Sequence, residues 1–194
     1  MRKFLLFKLI TVFVCTAPSL LSAQNLLERN HSFTQGFEHW YHGTWEDEIS
    51  TPRADFELDT TTGHDDIKSA KVTVHESTKD KPQKIFLRHQ GLKLKKGKNY
   101  TFSFWVRSRV AQDAIKLLIY SAEETESKKG WGAVVDKEFE FFGDGQWKKM
   151  EVTFDAIDLF PAAPADFNHI GIMVGFGARK GIYHVDNFEL VRNK

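Results

Sequence analysis

The sequence predicts an all-β domain, a two-sheet antiparallel β-sandwich of the jelly-roll type, following a cleaved signal peptide. Three observations carry that prediction. Short runs alternating apolar and polar residues recur at regular spacing, roughly ten or eleven of them, with turn residues between. No convincing amphipathic helix and no internal repeat interrupts them. The 17 Phe and 5 Trp supply enough apolar bulk for an ordinary single core.

Residues 1–23 read apart from the rest. A basic start at Arg2 and Lys3, an apolar stretch from Leu9 to Ala17 and small residues at Ser22 and Ala23 predict a secretory signal peptide cut after Ala23. The stretch is short for a membrane span and is interrupted by polar residues. Cys15 lies within it, but Val14 stands where a lipoprotein-type site wants a small residue, so lipid anchoring is the lesser alternative. The expected mature domain is 24–194, secreted to the periplasm or the exterior, and it contains no cysteine. Losing Arg2, Lys3 and Lys8 leaves 24 of the 27 basic side chains against 26 acidic ones, a net charge of about −2. Such a balance gives no electrostatic reason to bind nucleic acid.

In chain order, Asn25 to Leu27 reads as a short first strand, expected to lie beside the last. Trp40 and Tyr41 begin a second, extended or turned by Gly43 to Trp45, and Asp55 to Asp59 alternates as a third. Thr60 to Lys68 is a loop punctuated by Gly63, and Ser69 to Val74 a strand with Ala70, Val72 and Val74 inward. Lys84 to Gln90 sets Ile85, Leu87 and His89 against Phe86, Arg88 and Gln90. After a lysine-rich turn at Gly97, Phe102, Phe104 and Val106 point to the core while Ser103, Trp105 and Arg107 point away. Ala114 to Ser121 sets Ile115, Leu117 and Ile119 against Lys116, Leu118 and Tyr120. Glu123 to Lys129 is expected as a charged loop closing at Gly130-Trp131-Gly132, where Trp131 is exposed enough to be a contact. Val134 to Phe142 and Trp147 to Phe154 are strands joined by a tight turn at Gly143-Asp144-Gly145. Asp155 to Asp166 is a long connection, with one helical turn expected over Ala163 to Phe167. His169 to Phe176 alternates a core face with a nearly bare one carrying Gly171 and Gly175, and Gly181 to Leu190 closes the domain.

The residues exclude several chemistries. There is no Gly-x-Ser-x-Gly, no His-Glu-x-x-His and no calcium-loop pattern, and a thiol nucleophile is ruled out with Cys15 in the signal peptide. His39 and His42 fall on opposite faces of a strand. Glu46-Asp47-Glu48 reads as a solvated edge rather than a metal or base site. Glu138 and Glu140 share a strand face, which makes them the best internal pair for sugar hydrolysis, although an exposed polar face explains them as well. An uncharged sugar needs a flat apolar plate for its C–H face and planar polar groups for its hydroxyls. Trp105, Arg107, Tyr120, Trp131, Gln90 and Glu138 are of those types and are the candidate ligand-binding residues.

Nearly the whole of 24–194 resembles the carbohydrate-binding modules of families 4, 9 and 22, galactose-binding-like jelly rolls attached to xylanases and other glycan-degrading enzymes. The likeness runs through Asn25-Leu26-Leu27-Glu28-Arg29-Asn30 with Phe33, Gly36 to Trp40, Gly63 with Ser69 to Val74, Gly91 to Arg107, Trp147 to Phe154 and Tyr183 to Leu190. It implies a concave sheet face that binds a polysaccharide or oligosaccharide chain. It also implies a structural calcium ion near the termini, here at Asp186 with main-chain oxygens around Lys71. Thr34 stands after Phe33 where the family usually has an acid.

The first reading is therefore a secreted, non-catalytic glycan-binding domain, acting beside a separately encoded glycan-degrading enzyme. A small jelly-roll polysaccharide lyase or glycoside hydrolase is the alternative, and a protein–protein adhesion or assembly module the second.

Overall fold

The computed structural model describes residues 24–27, 29–46, 51–77, 84–125, 128–156, 166–176 and 178–193, with the side chains of residue 93, 121–132 and 166–169 left out. The signal segment, the acidic positions 47 and 48 and most of the connection after Asp155 lie outside the described residues.

The described residues form ten strands: β1 (Trp40–Thr44), β2 (Arg53–Asp59), β3 (Ser69–Glu76), β4 (Ile85–Lys95), β5 (Asn99–Ser108), β6 (Asp113–Thr125), β7 (Lys128–Phe141), β8 (Trp147–Asp155), β9 (Asp166–Phe176) and β10 (Gly181–Arg192). They form two antiparallel sheets, β1-β4-β9-β6-β7 (sheet I) and β2-β3-β10-β5-β8 (sheet II). Only β2–β3 and β6–β7 join neighbours within a sheet; every other connection crosses between sheets, as in a jelly roll. No helix occurs among the described residues.

Period-two alternation decides what lies between the sheets. Phe102, Phe104 and Val106 of β5, Ile85 and Leu87 of β4, and Val174 and Phe176 of β9 are fully buried there. Each such side chain contributes about 1.5–3 kcal/mol through loss of water contact. Phe104 and Phe188 stack with centroids 5.4 Å apart. Phe33 and Trp40 close one end of the core, 5.3 Å apart, with Trp40 4.4 Å from Phe188.

The segment that brings Phe33 there is tied by Asn30. Its Nδ2 donates to the carbonyls of Gly36 and Glu38 at 2.7 and 2.8 Å, and its Oδ1 accepts the Gln35 N–H at 3.0 Å. Asn30 and Phe33 both take left-handed backbone angles, φ 52° and 55°.

Four expectations change. Asn25 to Leu27 is not a strand, although it does lie along β10: Leu26 N–H donates to the Leu190 carbonyl at 2.7 Å. Asn25 takes over the rest of the pairing with its side chain, Nδ2 donating to the Phe188 carbonyl and Oδ1 accepting the Leu190 N–H. The expected charged loop after Glu123 is instead the end of a long hairpin, because β6 and β7 stay paired out to Thr125 and Lys128. The second face of β9 is not bare: Met173 is 1% exposed, and Gly171 is covered by the Tyr120 ring. The helical turn expected over Ala163 to Phe167 falls largely outside the described residues, and Asp166 and Phe167 belong to β9.

Candidate functional site

Paired residues in an antiparallel ladder share a face, so the registers of sheet I order its outer surface into rows. One row reads Gly43, Phe86, Gly175, Lys116 and Glu138 across β1, β4, β9, β6 and β7; the next reads Tyr41, Arg88, Met173, Leu118 and Asp136. A third carries Gly171, Tyr120 and Ala133, with Gln90 alongside.

Phe86, Leu118, Tyr120 and Met173 pack together as an apolar floor distinct from the main core. Gly171 makes the floor flat at one end. A Cβ there would overlap the Tyr120 ring, so glycine lets tyrosine lie across the strand. The hydroxyl of Tyr120 accepts the Gln90 Nε2–H at 3.2 Å.

The β1 edge rises above this floor. Tyr41 and Trp45 are 56% and 44% exposed, and Trp45 leans on Phe86 at 4.7 Å between centroids. The Arg88 guanidinium lies 5.5 Å from the Tyr41 centroid and 5.8 Å from that of Phe86, a cation–π arrangement. Its Nε is buried without a hydrogen-bond partner among the described residues. A buried unmatched donor costs about 1–3 kcal/mol. At the opposite edge Lys116 bridges Asp136 and Glu138, the latter at 3.6 Å.

The surface therefore offers an apolar plate, two exposed aromatic rings and a polar fringe. That composition suits a ligand with both C–H faces and hydroxyls.

The six sequence candidates do not share one face. Gln90, Tyr120 and Glu138 lie on the outer face of sheet I. Trp131 pairs with Ala122 near the hairpin end, and its side chain lies outside the described residues. Trp105 and Arg107 lie on the outer face of sheet II, across the sandwich.

Trp105 is not an open plate. The loop after β2 folds back so that His64 stacks on it, 3.8 Å between centroids and 23° between planes. Arg107 donates through Nε to the Gly145 carbonyl at 2.7 Å. Reasoning from the sequence passed over Tyr41, Trp45, Arg88, Lys116 and Asp136. The alternation of Lys84 to Gln90 had placed Arg88 beside Gln90, but nothing in the chain says that β1 and β9 flank that strand.

The calcium ion that the resemblance implies would sit at Asp186 and the main chain around Lys71. Asp186 is fully buried, its Oδ2 accepting the His64 N–H and its Oδ1 the Asn187 N–H, both at 2.8 Å. Burial pushes its carboxyl up to about 6, with Asp66 and Asp65 pushing the same way, against the two N–H bonds. Lys71 sits mid-strand between β2 and β10, paired with Glu57 and His184. The Thr34 carbonyl accepts Lys68 Nζ at 2.9 Å, so an ammonium already serves it. Calcium takes six to eight oxygens, and among the described residues no three His, Cys, Asp or Glu gather to hold a metal. These residues do not fit the ion.

A family profile described as "Carbohydrate binding domain" matches residues 25–158. No curated protein matches the chain. Among solved structures it is similar to one titled "CBM4 structure and function", at 18% identity and TM-score 0.59 over 84% of this chain and 98% of that one. It is similar at 13% identity and TM-score 0.58 to a family-22 module joined to a catalytic module in a Clostridium thermocellum endo-1,4-β-D-xylanase complexed with xylohexaose, covering 84% of this chain but 28% of that longer one. A family-61 module in complex with β-1,4-galactotriose matches at 17% identity and TM-score 0.53, over 88% and 100% of the two chains. At these identities the likeness shows the fold.

Proposed function

Because the chain belongs to the carbohydrate-binding domain family, we propose that it is a secreted, non-catalytic module that holds a glycan chain on the outer face of sheet I. The observation that carries this is the joint placement of Tyr41, Trp45 and Arg88 around the floor of Phe86, Met173, Leu118 and Tyr120. The exposed rings take the C–H faces of sugar units. The Arg88 guanidinium, Gln90 and the Lys116 cluster meet hydroxyls. Of the acids on this face, Asp136 and Glu138 are held by Lys116, which leaves the Glu138–Glu140 pair without a free partner carboxylate at Glu138 and supports binding over hydrolysis. Export rests on the signal reading of residues 1–23. Action together with a glycan-degrading enzyme is supported by the module–enzyme pairing in the similar xylanase structure.

The ligands of similar structures set the first panel: xylo-oligosaccharides and β-1,4-galacto-oligosaccharides. Calorimetric titration of wild type against that panel, widened to other neutral glycans, is expected to find a binder. Tyr41→Ala and Trp45→Ala are expected to weaken it about tenfold or more each, as removal of central aromatic anchors does, with the melting temperature unchanged. Binding that survives both substitutions places the ligand elsewhere and ends this reading.

A further inference from the structure

Sheet II carries a pocket that the glycan face does not use. It has a volume of about 530 Å³ and lies where the ends of β5 and β10 meet the turn before β8. Arg107, Arg109, Lys180 and His184 line it together with Val110 and Ile182. His184 and Arg107 are cross-strand partners, which sets both side chains on the outer face.

The turn glycine aims the two arginines. Gly145 holds φ +83°, and the Arg109 side chain passes over it, Nε 3.3 Å from where a Cβ would stand. Its carbonyl takes Arg107 Nε at 2.7 Å, which fixes the guanidinium and leaves its two terminal nitrogens without a protein partner among the described residues. Arg109 is exposed and has no ion pair among the described residues. Lys180 stands near Glu76 at 3.5 Å in an exposed pair of little strength.

The carboxylate that meets His184 is already saturated. Asp59 Oδ1 accepts from Thr61 and Thr62, and its Oδ2 faces His184 Nε2 at 2.9 Å. Three cations thus face this cavity, two of them planar forks that match a carboxylate in bidentate geometry. Val110 and the half-exposed Ile182 supply an apolar wall, and Thr62 a hydroxyl.

We infer that this pocket is a second binding site, on the opposite sheet from the neutral-glycan face, for a sugar bearing a carboxylate, a hexuronate unit of an acidic glycan. The volume holds one or two sugar rings, the forks hold the carboxylate, and the wall takes the ring's C–H face. The domain then grips two chemically different chains, or two parts of one mixed chain, on its two faces.

The test is calorimetric titration with α-1,4-trigalacturonate, its carboxyl-reduced trisaccharide and a neutral trisaccharide carrying one sulfate. Wild type is expected to bind trigalacturonate and not the reduced form. Arg109→Gln, whose side chain holds nothing else in place, is expected to weaken binding about tenfold, and added salt to weaken it further. Tyr41→Ala is expected to leave it within about twofold, so failure of the neutral-glycan site and failure of this one read out separately. The assignment is overturned if Arg109→Gln binds trigalacturonate as tightly as wild type, if the reduced sugar binds equally well, or if Tyr41→Ala abolishes binding. It is also overturned if the sulfated sugar binds through Arg109 while trigalacturonate does not.

Discussion

Gly171 and Tyr120 act as one unit, since the ring occupies the space a side chain on β9 would take. Gly171→Ala is expected to cost about 1–3 kcal/mol in denaturant unfolding, the usual penalty for overpacking. The same substitution in a Tyr120→Ala background is expected to cost much less; an unchanged cost there would mean the strain is not with the ring. His89 makes a second residue-scale case. It is 8% exposed against Trp40, with both ring nitrogens lacking a hydrogen-bond partner among the described residues. Burial, with His39 adding, pushes the imidazole down to about 4. A base whose folded pKa lies below its unfolded value contributes stability that is full above the unfolded pKa and is lost as pH falls. Between pH 6.5 and 4 this histidine therefore removes up to about 3 kcal/mol. His89→Leu is expected to gain on wild type progressively across that window; a difference between the two proteins that stays flat with pH would refute the buried neutral imidazole.

The loop after β2 is organised as an element of its own. Asp59 caps its start through Thr61 and Thr62; burial raises that carboxyl, yet the Thr61 and His184 contacts outweigh it and hold the carboxyl at about 2. Asp186 holds its middle through the His64 N–H, and His64 then lies on Trp105 with the edge of Trp147 beside it. Trp105 is thus the seat of a loop, and Trp105→Ala is expected to lower stability by about 2 kcal/mol while leaving neutral-glycan affinity unchanged. Lost affinity with an unchanged melting curve would reverse that assignment. The alternation in β5 shows how far sequence reached here. It correctly placed Phe102, Phe104 and Val106 inward and Trp105 and Arg107 outward, but the loop covering the tryptophan is contributed from about forty residues upstream, and no local pattern announces it.

At the scale of the molecule, the two sheets, their cores and the family emerge together. Folding without a metal is expected: a chelator should leave the melting temperature of the purified domain unchanged, because the Thr34 carbonyl is met by Lys68 and both oxygens of Asp186 by backbone N–H groups. A downward shift on chelation would show that these groups rearrange around an ion. The sequence by itself determined the all-β class, the inward face of most strands and the likeness to carbohydrate-binding modules. These depend on alternation within a strand and on motif order, both of which are written along the chain. Only the tertiary structure decided which strands share a sheet. It set β4 and β6 on either side of β9 and sent β5 to the other layer, so that Tyr41, Arg88 and Tyr120 meet on one face while Trp105 and Arg107 lie on the opposite one. The physical reason is that faces are fixed by a period of two residues, whereas neighbours are fixed by crossovers spanning tens of residues, and no short-range pattern encodes them.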